Sequence, residues 1–148
     1  PTFRTLAGPP SLASCTRDVY AADAQWTSDV ALRIARDIAS AMQHLHARGI
    51  LHGDLYAHNI LWSAQGDGLL GDFGAAWMTG ALAPTQIGAL QRLEMRAFGC
   101  LLEELLDRCS DAPPDAMAVL KDRCMQPGIA TRPSFAEASA LLQDELSQ

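Results

Sequence analysis

The chain has 148 residues, of which 49% are hydrophobic and 19% are charged, a balance typical of one globular domain with a real core and not of a disordered chain. Its formal net charge of −6 argues against a nucleic acid or an anionic membrane surface as the main partner. No apolar run reaches the length of a membrane span, and no signal-peptide pattern opens the chain. Because the first residue is Pro1 and not Met, we expect the sequence to be a piece of a longer protein.

The four cysteines show no C-x-x-C spacing that would indicate a metal site. Two of them, Cys100 and Cys109, fall in or at the end of an apolar helical pattern. We therefore expect buried, reduced thiols in a cytoplasmic protein, and not a disulfide framework.

The first part of the chain predicts an extended entry segment and then helices. Residues 1–14 are rich in Pro, Gly, Ser and Ala, which favours an irregular segment, and a short helix is predicted around 15–24. A long helix follows, ends at Gly49 and has as its candidate N-caps Thr27, Ser28 and Asp29. Its apolar residues recur at three and four positions and form one stripe: Val30, Ile34, Ile38, Met42 and Leu45.

The middle of the chain predicts short strands. Apolar strand patterns cover 50–51, 59–62 and 69–71, and the polar, Gly-containing turn at 63–68 joins the last two into a β-hairpin. From 75 to 90 no period is visible and Gly and Pro recur, so this segment is predicted to be a loop.

The last third predicts three helices. Residues 92–109 are apolar on more than one face, which is typical of a helix in the middle of a domain. A helix is also predicted over 115–125, and a final helix begins with Ser134 as its cap and Glu137 completing a capping box. The predicted fold is therefore mainly α with a small β-hairpin.

Three polar side chains make the candidate site. Asp54 is followed five positions later by Asn59, and Asp72 follows the hairpin, so the two carboxylates and the amide can converge on one point. Such a set can hold a divalent cation through oxygen atoms and accept a hydroxyl proton beside a triphosphate.

The sequence around these residues resembles a known family. Residues 51–61 read LHGDLYAHNIL, and 72–74 read Asp-Phe-Gly. His-x-Asp-Leu-x-x-x-Asn followed by Asp-Phe-Gly resembles the catalytic and magnesium loops of the protein-kinase family. Near the end, Arg-Pro-Ser-Phe at 132–135 resembles the tyrosine-kinase-like style of that family.

The resemblance implies an architecture. Residues 1–148 would form the C-terminal lobe of the protein-kinase-like α+β fold. Within it, 50–74 would hold the catalytic and magnesium loops, and 75–92 a short activation segment. No Gly-rich phosphate loop and no ATP-binding Lys occur in the chain, so an ATP-binding N-terminal lobe would have to come from a longer parent, and this lobe alone would be inactive.

The same resemblance implies roles for individual residues. Asp54 would be the catalytic base, and Asn59 and Asp72 would be the ligands of Mg²⁺ bound to ATP. Leu61 would form the floor under the adenine, so that the cofactor-binding set is Asn59, Leu61 and Asp72. The implied partner is a protein substrate.

Other positions resemble structural parts of the family or depart from them. His52 and Phe73 resemble a stacked pair that links the two loops. Gly53 replaces the usual Arg, the feature of a non-RD kinase, which implies activity that needs no activation-loop phosphorylation. Glu94 replaces an Asp that accepts backbone N–H groups of the catalytic loop. Arg132 would be a structural cation that lacks its usual Glu partner.

Three functions are compatible with these features. The first is ATP-dependent phosphotransfer to protein hydroxyls, Ser/Thr in preference to Tyr. The second is a pseudokinase or scaffold lobe, favoured by the short activation segment and the missing substrate-docking helix. The third is a small-molecule phosphotransferase, because His-Gly-Asp-Leu also resembles the loop of aminoglycoside and choline phosphotransferases. The Asp-Phe-Gly and Arg-Pro-Ser-Phe sequences argue against the third.

Overall fold

The computed structural model describes residues 1–15 and 17–147. In this described part the helices are α1 (Ser28–Ala47), α2 (Pro84–Leu106), α3 (Asp115–Cys124) and α4 (Phe135–Glu145). The strands are short: β1 (Arg4–Thr5), β2 (Ile50–Leu51), β3 (Ile60–Trp62), β4 (Gly68–Leu70) and β5 (Trp77–Met78). Single 3₁₀ turns lie at Ala57–Asn59, Phe73–Ala75 and Ile129–Thr131. The prediction of a mainly helical chain with a small sheet is therefore confirmed.

The strands form two small antiparallel sheets. β3 lies between β1 and β4, and β2 pairs with β5. Within the larger sheet, Leu61 lies opposite Thr5 on one side and Leu69 on the other. The β3–β4 hairpin is as predicted, although Asn59 lies in a 3₁₀ turn before β3. Strands β1 and β5 were not predicted, because two-residue strands show no alternation.

Helix α1 follows the prediction closely. Thr27 is its N-cap, with the hydroxyl accepting a hydrogen bond from the Val30 N–H at 3.4 Å. The centre of the predicted stripe, Ile34, Ile38 and Met42, is fully buried. Gly49 follows the helix at φ +68°, the left-handed conformation in which glycine commonly ends a helix.

Helix α2 differs from the prediction at both ends. It begins at Pro84, inside the segment predicted to be a loop, and ends at Leu106, before the predicted Cys109. Its middle is buried as predicted, and Met95 and Phe98 are fully inaccessible.

The short helix predicted around 15–24 is not what the structure shows. Thr16 lies outside the described residues, and the others form turns and an isolated β-bridge between Val19 and Gly8. Gly8 and Val19 exchange two backbone hydrogen bonds, at 2.8 and 3.0 Å. These bonds pair the Val19 N–H and carbonyl, which a helix would otherwise have paired, and they tie the entry segment to the residues before α1.

The C-terminal helices form as predicted. The α4 capping box is present: the Ser134 N–H donates to Glu137 Oε2 at 2.7 Å, and the Glu137 N–H donates to Ser134 Oγ at 3.3 Å. The backbone hydrogen bond from Ser134 lowers the pKa of the Glu137 carboxyl. Arg132 is buried and donates to the carbonyl oxygens of Gln126 and Arg92, at 2.8 and 3.0 Å. It is a structural cation, as predicted, and these carbonyls take the place of a carboxylate partner.

Within the described residues all four cysteines are free thiols, but the prediction that they are buried holds for Cys124 alone, since Cys15 is exposed and Cys100 and Cys109 are half-buried. Burial raises the pKa of the Cys124 thiol to about 12. No helix in that part of the chain is both long and apolar enough to cross a membrane.

Candidate active site

His52 joins the two loops that carry the candidate site. Its ring is fully buried and lies 5.0 Å from the ring of Phe73, near edge-on. Nε2 lies 2.9 Å from the Gly71 carbonyl oxygen, and the Asp54 N–H donates to Nδ1 at 3.3 Å. Because a carbonyl can only accept, the imidazole proton belongs on Nε2. The predicted packing role of His52 is confirmed, and the ring fixes the backbone on which Asp54 sits.

Asp54 and Asn59 are in direct contact. The Asn59 amide donates from Nδ2 to both the backbone oxygen and carboxylate Oδ2 of Asp54, each at 2.9 Å. Asn59 ends the 3₁₀ turn and is buried, while Asp54 is half-buried. With Nδ2 engaged in this way, the amide oxygen has no hydrogen bond among the described residues and stays available to a cation.

Asp72 follows the strand that pairs with β3 and is exposed. The Gly71 N–H donates to the Asn59 carbonyl oxygen at 2.8 Å, which places Asp72 one residue beyond that contact. Asp72 has φ +49°, and its Oδ1 accepts the Gly74 N–H at 3.1 Å, so the second carboxylate oxygen remains free. One amide oxygen and one carboxylate oxygen are hard donors of the kind that Mg²⁺ takes together with waters and phosphates.

No described group of three His, Cys, Asp or Glu side chains could hold a metal ion by itself. A cation at this site would therefore depend on Asn59 and Asp72, with the remaining oxygens coming from solvent or a bound phosphate. Mg²⁺ is commonly bound through one or two protein oxygens in this way and keeps several waters.

Leu61, the predicted adenine floor, lies in the middle of β3 with 38% of its surface exposed. Leu69 on the neighbouring strand and Phe73 in the next turn are about half exposed. These three side chains give the region around the hairpin an apolar surface next to the candidate site.

Glu94 supports the catalytic loop from α2. Its Oε1 accepts the Gly53 N–H at 2.7 Å, and its Oε2 lies 2.6 Å from His46 Nε2. The prediction that Glu94 accepts a backbone N–H of this loop is confirmed. The part played by His46 was missed, although its place four residues after buried Met42 puts it on the core side of α1. A histidine on such a stripe is the signal that could have revealed it.

Gly53 occupies a position that a side chain cannot enter without rearrangement. Its φ is +81°, and a Cβ atom built there would lie 2.5 Å from the Ala75 carbonyl oxygen. In this chain, therefore, the local backbone itself excludes the Arg that the family usually has here.

We expect Gly53→Ala to lower the free energy of unfolding by about 1–3 kcal/mol and to reduce any activity of the loop, because the new methyl group meets backbone and the left-handed φ is strained. Thermal unfolding of the variant and of wild type measures this. Gly80→Ala is the matched control, since its Cβ would meet nothing within 4 Å. A Gly53→Ala variant with the midpoint and activity of wild type would contradict the assigned close approach.

Comparison of the sequence with known proteins identifies its family. Residues 11–88 match the model of the protein kinase domain. The chain is 35% identical over 60 residues to the eIF-2-alpha kinase GCN2 of Arabidopsis thaliana, which covers 40% of this chain and 5% of that protein. It is 36% identical over 69 residues to the serine/threonine-protein kinase TOS3 of Saccharomyces cerevisiae, covering 45% and 12%.

A third relative is the serine/threonine-protein kinase AtPK1/AtPK6 of Arabidopsis thaliana, 46% identical over 48 residues, or 32% of this chain and 10% of that protein. Because the family model matches more than half of the sequence, the chain belongs to the protein kinase family. The aligned regions span only a small part of the length of each of these relatives.

Proposed function

We propose that the chain is the C-terminal lobe of a protein kinase that transfers phosphate from ATP to protein hydroxyls, Ser/Thr in preference to Tyr, as part of a longer protein. The observation that carries this proposal is the Asn59 amide, which donates to Asp54 twice at 2.9 Å. That contact fixes the carboxylate and leaves the amide oxygen for a cation. A single polar side chain thereby links a proton acceptor to a cation ligand, two of the parts that phosphoryl transfer uses.

The chemistry assigned to each residue follows from its surroundings. When bound, Mg²⁺ would neutralise the charge on the phosphates, and Asn59 and Asp72 are the residues that would hold it. Asp54 would accept or orient the proton of the acceptor hydroxyl, since it is half-buried and its carboxylate faces the Asn59 amide. Leu61 would lie under the adenine.

The exposed apolar side chains near the site support the need for a second lobe. Leu69 is 50% exposed and Phe73 is 51% exposed, beside a nucleotide site that this lobe would only half enclose. An upstream ATP-binding lobe of the parent protein would cover such a surface and supply the remaining contacts to the phosphates. The isolated lobe should accordingly bind ATP weakly.

One observation favours a scaffold role instead. Only residues 79–83 separate β5 from α2, and Thr79 among them is buried with its hydroxyl donating to the Gly49 carbonyl oxygen at 2.9 Å. So short a segment leaves little chain to cradle a peptide substrate. A pseudokinase lobe would keep the same fold and bind partners without phosphotransfer.

The test is transfer of labelled γ-phosphate from ATP by the full-length protein in Mg²⁺. The acceptors are Ser-, Thr- and Tyr-containing peptides, with an aminoglycoside and choline in parallel. We expect labelling of Ser and Thr peptides. Labelling of the small molecules alone would move the protein to that class, and a lack of transfer to every acceptor with intact partner binding would favour the scaffold.

A further inference from the structure

A second polar contact holds the catalytic loop from outside the family motif. Asp18, which lies between the entry segment and α1, accepts two hydrogen bonds from His58, the residue before Asn59. The His58 N–H donates to Asp18 Oδ2 at 3.0 Å, and the ring Nδ1 lies 2.8 Å from Asp18 Oδ1. The two residues are 40 positions apart, so this contact comes from the tertiary fold.

The chemistry of the pair makes the contact specific. The Asp18 side chain is 1% exposed and that of His58 is 20% exposed. A carboxylate oxygen accepts hydrogen bonds, so the ring proton belongs on Nδ1. A buried carboxylate is costly without partners, and among the described residues His58 alone donates to this one. Loss of the ring would therefore leave Asp18 with a single backbone bond.

The residues on both sides of Asp18 are anchored to α2. Arg17 pairs with Glu103 and Glu104 at 3.2 and 3.3 Å, and the Tyr20 hydroxyl donates to Glu104 at 2.9 Å. Burial, with the nearby Glu104, raises the pKa of the Tyr20 hydroxyl, so it stays a donor. The Gly8–Val19 bridge then fixes the residue after Asp18. Asp18 therefore lies in a stretch of chain that is fixed to α2 by its neighbours.

We infer that Asp18 and His58 are positioning residues that set the orientation of Asn59, and through it Asp54, by clamping the 3₁₀ turn Ala57–Asn59. This inference rests on the proposed phosphotransfer function. His58 is next to Asn59 in that turn, and the Asn59 amide nitrogen donates to two oxygens of Asp54. A shift of the turn by a fraction of an ångström would change both of the Asn59 contacts with Asp54.

The experiment uses the full-length protein with His58→Gln and His58→Asn. The amide nitrogen of Asn can take the place of Nδ1, whereas that of Gln takes the place of Nε2 and misses Asp18. We expect His58→Gln to lower kcat by about 10- to 100-fold, the cost of misplacing a catalytic group by about 1 Å. The Mg²⁺ concentration for half-maximal rate should rise by about 10-fold, as for loss of a contact behind a metal ligand. His58→Asn should restore both.

Asp18→Ala removes both hydrogen bonds and should impair the protein at least as much as His58→Gln. Adding His58→Gln to Asp18→Ala should cost little more, because the ring contact is already gone. Two exposed residues provide controls, His44→Gln and Asp23→Asn, which should leave kcat and the Mg²⁺ requirement unchanged. The Mg²⁺ requirement separates positioning from partial unfolding, since a smaller folded fraction lowers the rate without shifting it.

Wild-type kcat and Mg²⁺ requirement in His58→Gln would overturn the inference and leave the proposed function standing. So would a His58→Asn variant that is folded but as impaired as His58→Gln. An inactive wild-type parent would overturn the proposed function and this inference together.

Discussion

Asp54→Asn is expected to lower kcat for phosphotransfer by about 10²- to 10⁴-fold, the usual contribution of a positioned general base. Asn has the same shape but no carboxylate to receive the acceptor proton. Its amide oxygen can still accept the Asn59 hydrogen bond, and the second bond from Asn59 goes to the backbone oxygen of residue 54. The loop should therefore keep its conformation, and nucleotide affinity should change little.

Single-turnover phosphotransfer by the full-length protein measures the rate, and calorimetry measures the nucleotide affinity separately. Asp107→Asn is the control for an Asp-to-Asn change at an exposed position and should behave as wild type. A normal rate in Asp54→Asn would remove Asp54 as the base. A parallel loss of rate and nucleotide affinity would assign it to binding.

Asp72→Asn is expected to weaken Mg²⁺-dependent nucleotide binding by about 10- to 100-fold, or about 1.4–2.8 kcal/mol. The change removes the one carboxylate assigned to the cation. Asn is a better test than Ala here, because it tolerates the left-handed conformation at φ +49° and can still accept the Gly74 N–H. Loss of binding can then be attributed to charge and not to a displaced backbone.

The measurement is nucleotide affinity of the full-length protein as a function of Mg²⁺ concentration. Wild type in EDTA should bind as weakly as the variant in Mg²⁺, and EDTA should have little further effect on the variant. If Asp72→Asn keeps the affinity and Mg²⁺ dependence of wild type, Asp72 does not hold the cation.

The structural features that depend on residues close together in the sequence were predicted correctly. The cap at Thr27, the buried stripe of α1 and the Ser134–Glu137 capping box each depend on residues within a turn or two of one another, and all are present. The hairpin was also predictable, since a polar, Gly-containing turn joins two short apolar runs.

The predicted start of α2 was wrong because Pro84 and Gly88 were taken as signs of a loop. Pro84 occupies the first helical position, where its missing N–H is no loss and its fixed φ suits the helix. Gly88 lies within the helix, at a cost of about 0.5–1 kcal/mol relative to Ala. The buried middle of α2 packs against the rest of the core and outweighs this cost, which a local reading of Gly and Pro does not include.

The roles of Asp54, Asn59, Leu61 and Asp72 stay predictions, and they came from a motif that is local in sequence. The contacts that hold the motif in place were out of reach of the sequence. Glu94 could be expected to accept a loop N–H, but its second partner His46 is 48 positions away. The Asp18 contact with His58 spans 40 positions. Only the packing of α1, α2 and the residues that precede α1 brings these groups together.

The packing of Phe135, the first residue of α4, limits how far the chain can be truncated. Its ring lies 5.0 Å from that of His46 and 5.3 Å from that of Phe98, so it supports the histidine that contacts Glu94. The match to the family model stops at residue 88. A truncation made there, or anywhere before α4, would remove Phe135 and with it the ring that packs against His46. The smallest fragment worth producing therefore extends through α4.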